Sequence, residues 1–198
     1  MAIVEQFFPA QTAGVALSNV LNGTYNPSGR LPNTWPASLD QVPPITNYTM
    51  KNRTYRYFEG VPLYPFGYGL SYTSFMYSDL VVTPSEVKAG DNVTVKVTVE
   101  NVGKLDGYEV TQVYLSWTSP NVAGIAPIRQ LVGAQRNFIK SQQSLPLVFT
   151  VTAREMQLWT TQWEVLPGAM DVYAGGQQPN QVTKVPSNVL MSSFQVTT

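Results

Sequence analysis

Asn92-Val93-Thr94-Val95-Lys96-Val97-Thr98-Val99-Glu100 decides the reading of this chain. Val93, Val95, Val97 and Val99 fall on one side, and Thr94, Lys96, Thr98 and Glu100 on the other. Successive side chains of a β-strand point to opposite faces, so this stretch is a half-buried strand turning four valines toward a core. Outward from it, strands are expected over residues 78–83, 109–117, 130–139, 145–152, 162–165 and 169–174. Lys88-Ala89-Gly90-Asp91, Val102-Gly103-Lys104, Pro167-Gly168 and Gly175-Gly176 supply the turn chemistry between them.

Short strands at this spacing predict a mainly β fold, an immunoglobulin- or fibronectin type III-like sandwich over residues 76–198. Residues 1–75 read differently. The first 23 are helical in character, with Thr12 as N-cap, Val15, Ala16, Leu17, Val20 and Leu21 at helical spacing, and Asn22-Gly23 as the stop. Ile3, Val4, Phe7 and Phe8 ahead of that cap are apolar enough to need a surface to pack on, and this chain offers little. Glu5 is placed on that opening helix. From Thr24 to Phe75, prolines 27, 32, 36, 43, 44, 62 and 65 forbid a long helix or a central strand. The density of aromatics there argues for ordered, extended chain rather than disorder.

Composition narrows the chemistry. Twelve basic and twelve acidic residues cancel, and only 12% of the 198 residues are charged, which gives nucleic acid and anionic membranes no handle. With no Cys and no His, thiolate metal sites, cysteine nucleophiles and imidazole bases are excluded, and neither a metal nor another cofactor is expected. Catalysis would have to run mainly on carboxylates. Met1-Ala2-Ile3-Val4-Glu5 has no basic leader and is not read as a secretory signal.

Three blocks then carry a family resemblance. Asn26-Pro27-Ser28-Gly29-Arg30-Leu31-Pro32-Asn33-Thr34-Trp35-Pro36 resembles a signature near the end of the α/β sandwich domain of family-3 glycoside hydrolases. Arg53-Thr54-Tyr55-Arg56-Tyr57-Phe58 and Pro62-Leu63-Tyr64-Pro65-Phe66-Gly67-Tyr68-Gly69-Leu70-Ser71-Tyr72-Thr73 are similar to later blocks of that domain. Val97 to Gly103, Glu109 to Leu115, and Pro167-Gly168 through Gly176 resemble the family's fibronectin type III-like domain. The Arg53–Phe58 block with Thr49-Met50-Lys51-Asn52 before it is closer to the β-xylosidase branch than to β-glucosidases. The resemblance implies a remnant of the α/β sandwich domain with an aromatic connector over residues 1–75, then the fibronectin-like domain. It further implies a secreted enzyme that works with a carboxylate pair, its nucleophile Asp in an N-terminal (β/α)₈ barrel and its acid/base Glu earlier in the α/β sandwich domain than the residues present here. Neither motif occurs here, and Pro9-Ala10-Gln11-Thr12-Ala13-Gly14 matches its family counterpart only loosely.

No catalytic residue is therefore assigned. Asp79, Asp91, Glu100 and Asp106 are placed at strand ends or turns, Glu86 in a loop, Glu155 at a short helical turn, and Glu109 in a structural position. Asp171 and Glu164 fall near strands, Asp40 in a proline-flanked loop, and Glu59 beside the aromatic cluster. The ring series Tyr55, Tyr57, Phe58, Tyr64, Phe66, Tyr68, Tyr72 and Phe75 either lines a sugar subsite or buries its rings between domains; the second fits the resemblance. Arg30, Arg53 and Arg56 are expected to bind backbone carbonyls, and Gly67 and Gly69 to sit where φ is positive or backbones approach closely.

Asn22, Asn47, Asn52 and Asn92 open N-glycosylation sequons. Three functions remain open: the C-terminal accessory region of a secreted β-xylosidase/β-glucosidase-like hydrolase, a stand-alone extracellular or matrix module that contacts carbohydrate or mediates adhesion, and a residual hydrolase. The partners these imply are carbohydrate or the hydrolase's catalytic domains. Oligomeric state is not legible in the sequence.

Overall fold

The alternation that opened the reading closes a core. Val93, Val95 and Val99 have no exposed surface and Val97 almost none, while Lys96 in the same strand faces solvent. The computed structural model describes residues 3–179 and 188–198. Its elements in chain order are α1 (Ala13–Leu21), β1 (Trp35–Pro36), α2 (Thr54–Tyr57), β2 (Pro62–Tyr64), β3 (Phe75–Thr83), β4 (Glu86–Lys88), β5 (Val93–Asn101) and β6 (Gly107–Trp117). They continue with β7 (Gln130–Ile139), β8 (Ser144–Val151), α3 (Ala153–Met156), β9 (Leu158–Trp159), β10 (Trp163–Glu164), β11 (Gly168–Gly175) and β12 (Leu190–Thr197).

The fold is mainly β. One sheet orders β3-β5-β8 and the other β4-β12-β11-β6-β7. Among the described residues every pairing in these two sheets is antiparallel except β12 with β4. The β5 valines, Leu147, Phe149 and Val151 meet Val113, Leu115, Met170, Val172, Phe194 and Val196 from the facing sheet in one cluster. Burying apolar side chains between two sheets is what stabilises a sandwich of this kind.

Within the sandwich three expectations need correction, and one strand was not expected. Residues 162–165 do not join either main sheet: β10 pairs only with β9, in a small hairpin. The last strand, β12, went unread because Ser192 and Ser193 dilute its apolar signal, although Phe194 and Val196 turn into the core. Glu86 lies in a short strand rather than a loop, since Val87 at its centre is buried. Asp79 sits within β3, not at its end; its φ of 53° marks the bulge that shifts register between Ser78 and Val81.

The N-terminal part is helical only over α1. Thr12 occupies the N-cap but makes no side-chain capping bond, and Asn22 with Gly23 (φ 79°) ends the helix as expected. Glu5 is outside any helix, where it accepts a hydrogen bond from the Phe7 backbone N–H at 2.7 Å. Nothing in α1 is buried, and Ile3, Val4, Phe7, Phe8, Val15 and Leu21 all face solvent. Between α1 and β3 the chain is held by β1 pairing with β2 and by α2, a single turn.

The packing carries a direct test. Val97→Ala should lower the unfolding free energy by about 2 kcal/mol, through lost transfer energy and the cavity left behind. Lys96→Ala, one residue away on the exposed face, should change it by less than about 0.5 kcal/mol. Urea unfolding midpoints of the two variants read the difference.

Candidate functional site

The expected strand after Val102-Gly103-Lys104 does not alternate in burial. From Thr111 to Ser116 in β6 every residue is buried, so both of its faces are covered. Val113 and Leu115 turn to the core, while Gln112, Tyr114 and Ser116 turn to the other face. That outer face is roofed by the segment between α1 and β3.

Each roof contact has a chemical reason. The Gln112 side-chain amide donates to the Gly67 carbonyl at 3.0 Å and to the Gly176 carbonyl at 2.9 Å. Its Oε1 accepts from the Tyr114 hydroxyl at 2.5 Å. Gly67 has φ 78°, and a Cβ there would fall 2.1 Å from Gln112 Oε1; a Cβ on Gly69 would fall 2.1 Å from the Gly29 carbonyl oxygen. Both glycines are thus required, one by its dihedral and contact, the other by close backbone approach. Tyr55 stacks on Phe66 with ring centroids 4.1 Å apart and meets Tyr114 edge-on at 6.2 Å. Its hydroxyl accepts from the Leu131 N–H at 3.1 Å, and its carbonyl accepts from the buried Arg129 at 2.8 Å. Tyr64 stacks on Tyr68, Phe58 is buried, and the Tyr72 hydroxyl donates to the Val20 carbonyl at 2.6 Å. The aromatic run buries rings between the N-terminal segment and the sandwich.

At one end of the roof lies an ion pair. Arg30 donates to Glu109 Oε2, with side-chain exposures of 10% and 2%. Glu109 shares its side of β6 with Val113 and Leu115, and its other oxygen accepts from the Tyr77 hydroxyl at 2.6 Å. Arg30 also reaches the Ser28 and Gly29 carbonyls at 3.5 and 3.2 Å. The expectation that it binds carbonyls is therefore half the answer: its main partner is a carboxylate. Arg53 does bind carbonyls, those of Thr49, Pro44 and Asn47. Arg56 donates instead to the Gln130 side chain at 2.8 Å. Arg129 and Arg136 were not singled out from the sequence, because their role is set by distant partners. Arg136 lies 3.6 Å over the Tyr108 ring and donates to Tyr25 and Ser28 hydroxyls.

Several other acids have local partners. Glu155 closes a capping box with Thr152 at the start of α3. Glu164 accepts from Thr160, Asp171 from Tyr173 and Ser193, Asp106 from the Ser141 N–H, and Asp91 from the Lys88 N–H. Glu59 is exposed beside the buried Phe58. Of the sequon residues, Asn22, Asn47 and Asn92 are exposed and Asn52 half-buried. Asn22, Asn47 and Asn52 each accept a backbone N–H with Oδ1, so those loops are ordered around them.

A cleft of about 530 Å³ opens where α2, the start of β7, α3 and the β9–β10 hairpin meet. Arg56, Gln130, Arg154, Gln157, Trp159 and Trp163 line it together with apolar residues. This cleft was not singled out from the sequence; the signal there is Trp159-Thr160-Thr161-Gln162-Trp163, two indoles four positions apart.

Comparison with known proteins assigns the class to which this architecture belongs. Solved structures that superpose on it include the β-D-glucoside glucohydrolase of Trichoderma reesei, with TM-score 0.78 and 29% identity, covering 95% of this chain and 29% of that one. A β-glucosidase of Listeria innocua crystallised with glucose superposes with TM-score 0.77 and 26% identity, over 97% and 27% of the respective chains. Residues 1–72 match the glycosyl hydrolase family 3 C-terminal domain and residues 109–178 the fibronectin type III-like domain. The chain belongs to glycosyl hydrolase family 3 and corresponds to a C-terminal portion of its members. The periplasmic β-glucosidase of Salmonella typhimurium is 34% identical over 88% of this chain and 24% of its own length. The xylan 1,4-β-xylosidase of Xylanibacter ruminicola is 35% identical over 88% of this chain and 20% of its own length. The chain thus spans about a quarter of these curated relatives, and its identities to the two branches are nearly equal.

Two predictions come from the buried polar groups. Glu109→Ala should cost about 3–5 kcal/mol by stranding the Arg30 charge, whereas the double change Arg30→Met with Glu109→Leu should recover most of that loss. Chemical denaturation of the single and double variants measures it. Burial, with Glu109 beside it, pushes the Tyr77 phenol well above its usual range, and burial does the same to Tyr114. Both stay protonated in the fold after their unfolded counterparts ionise. Their stabilising contribution is then complete below about pH 10 and declines as pH rises above it, by about 1.4 kcal/mol per pH unit for each phenol. Unfolding free energies between pH 8 and 11 should show this decline, and Tyr114→Phe should flatten it.

Proposed function

We propose that this chain is the C-terminal accessory region of a secreted β-xylosidase/β-glucosidase-like glycoside hydrolase. In this reading residues 1–75 complete an α/β sandwich domain and residues 76–198 form the fibronectin type III-like domain that braces it. Hydrolysis falls to carboxylates contributed from outside these residues.

One observation carries the reading: the asymmetry of exposed apolar surface. Phe7, Phe8, Val15, Leu21, Leu39, Ile45 and Tyr48 lie open in the first 50 residues, around a helix with nothing buried, while the sandwich seals its core. So dense a set of exposed apolar side chains in one segment marks a docking face. The partner that fits is the rest of an α/β sandwich domain, since relatives continue well beyond the matched quarter. That surface also counts against a stand-alone extracellular or matrix module. Among the described residues, no helix is long and apolar enough to cross a membrane. Export and glycosylation at Asn22, Asn47, Asn52 or Asn92 belong to the same proposal, supported by the exposure of three of these side chains.

The test pairs two preparations assayed with aryl β-xyloside and aryl β-glucoside. The purified chain alone should give no turnover. A chimera in which it replaces the aligned C-terminal quarter of the Salmonella typhimurium relative should be soluble and active. Turnover by the chain alone, or a chimera that folds but leaves Phe7 and Phe8 accessible to labelling or proteolysis, would sink the proposal.

A further inference from the structure

The cleft beside the β9–β10 hairpin has the chemistry of a sugar-binding surface site, and nothing in the family assignment accounts for it. Trp159 and Trp163 are cross-strand partners. They are 57% and 63% exposed, although tryptophan is on average a largely buried residue. Their rings meet edge-to-face with centroids 5.5 Å apart, so they do not cover each other in a flat stack, and both remain more than half exposed. The hairpin is held firmly. Thr160 donates its N–H to the Gln162 carbonyl at 3.1 Å and its hydroxyl to Glu164, and Met156 and Leu158 are buried beneath it.

The polar lining complements those rings. Arg154 and Gln157 project from α3 and its C-cap, and neither side chain makes a hydrogen bond among the described residues. Arg56 and Gln130, tied together at 2.8 Å, line it as well. Among the described residues the lining includes no carboxylate, and the nearby Glu164 accepts from Thr160. A pyranose ring has an apolar face of C–H groups and a rim of hydroxyls. Open indole faces take the first, and amide and guanidinium groups take the second. A volume near 530 Å³, open on one side, suits one or two linked rings of a chain that continues past the cleft.

We propose that Trp159, Trp163, Gln157 and Arg154 form a non-catalytic binding site for neutral pyranose units of a polysaccharide. The site anchors the sandwich to polymer and performs no bond cleavage. It does not depend on the hydrolase reading: it would stand equally if this chain acted alone, and is read by binding rather than turnover.

The test uses the full chain in native gels containing soluble xylan or soluble β-glucan, with xylohexaose and cellohexaose titrations followed by tryptophan emission. Retardation in at least one gel and an emission change are expected. Trp159→Ala and Trp163→Ala should each weaken binding about tenfold or more, and Gln157→Ala several-fold. Circular dichroism confirms that each variant is folded, and Gln157→Ala, which removes no core contact, carries the test if a tryptophan variant does not fold. No retardation by either polymer, or equal retardation of parent and folded variants, overturns the proposal. So does burial of Trp159 and Trp163 against protein in the chimera, which would make the cleft a domain interface.

Discussion

The Arg30–Glu109 pair decides how the two parts of this chain meet. Glu109 lies on the core side of β6, and a carboxylate there is costly unless a cation and hydrogen bonds meet it. Arg30 comes from a loop 79 positions earlier, and Tyr77 supplies the second bond. The proline-rich segment must therefore return to the sandwich at this point. Once it has, Gly67 is brought under Gln112 and Tyr55 against Tyr114, so the outer face of β6 is roofed rather than wetted. Such a pair adds little net stability compared with an apolar one, but it penalises any other docking position.

This roof explains which parts of the fold were legible in sequence. β5 has one wet face, so its valines alternate with polar residues and the strand can be read alone. β6 is buried on both faces, and Gln112, Tyr114 and Ser116 look like a solvated face although they are roofed. A polar side chain facing water and one facing a buried carbonyl are the same letters. β12 was lost because Ser192 and Ser193 occupy its middle, leaving only Phe194 and Val196 to show inward alternation. The β3 bulge at Asp79 was lost because nothing local marks a residue that will adopt φ 53°.

The site residues divide along the same line. Gly67 and Gly69 were legible, because glycine between bulky aromatics has few explanations other than backbone geometry. Arg53 was legible too, since its carbonyl partners lie within nine residues. The main partners of Arg30, Arg56, Arg129 and Arg136 were not, as those hydrogen-bond partners stand 74 to 111 positions away and only the fold brings them together. Trp159 and Trp163 needed the hairpin register before they became neighbours rather than two tryptophans four positions apart.

The contrast between the two ends of the roofed segment bears on function. Toward β6 it is saturated: rings stack, amides find carbonyls, and the arginine finds its carboxylate. Toward α1 it is bare, with Phe7 and Phe8 in solvent and no helix residue buried. A segment evolved only to cap the sandwich would have no reason to carry that second apolar face. In the proposed reading these two differently finished faces belong to a piece between two bodies, one face rigidly keyed and the other open to the rest of the α/β sandwich domain. The aromatic run is therefore better understood as a joint than as a sugar groove. The exposed indoles that do have sugar-binding geometry lie on the β9–β10 hairpin, outside that run.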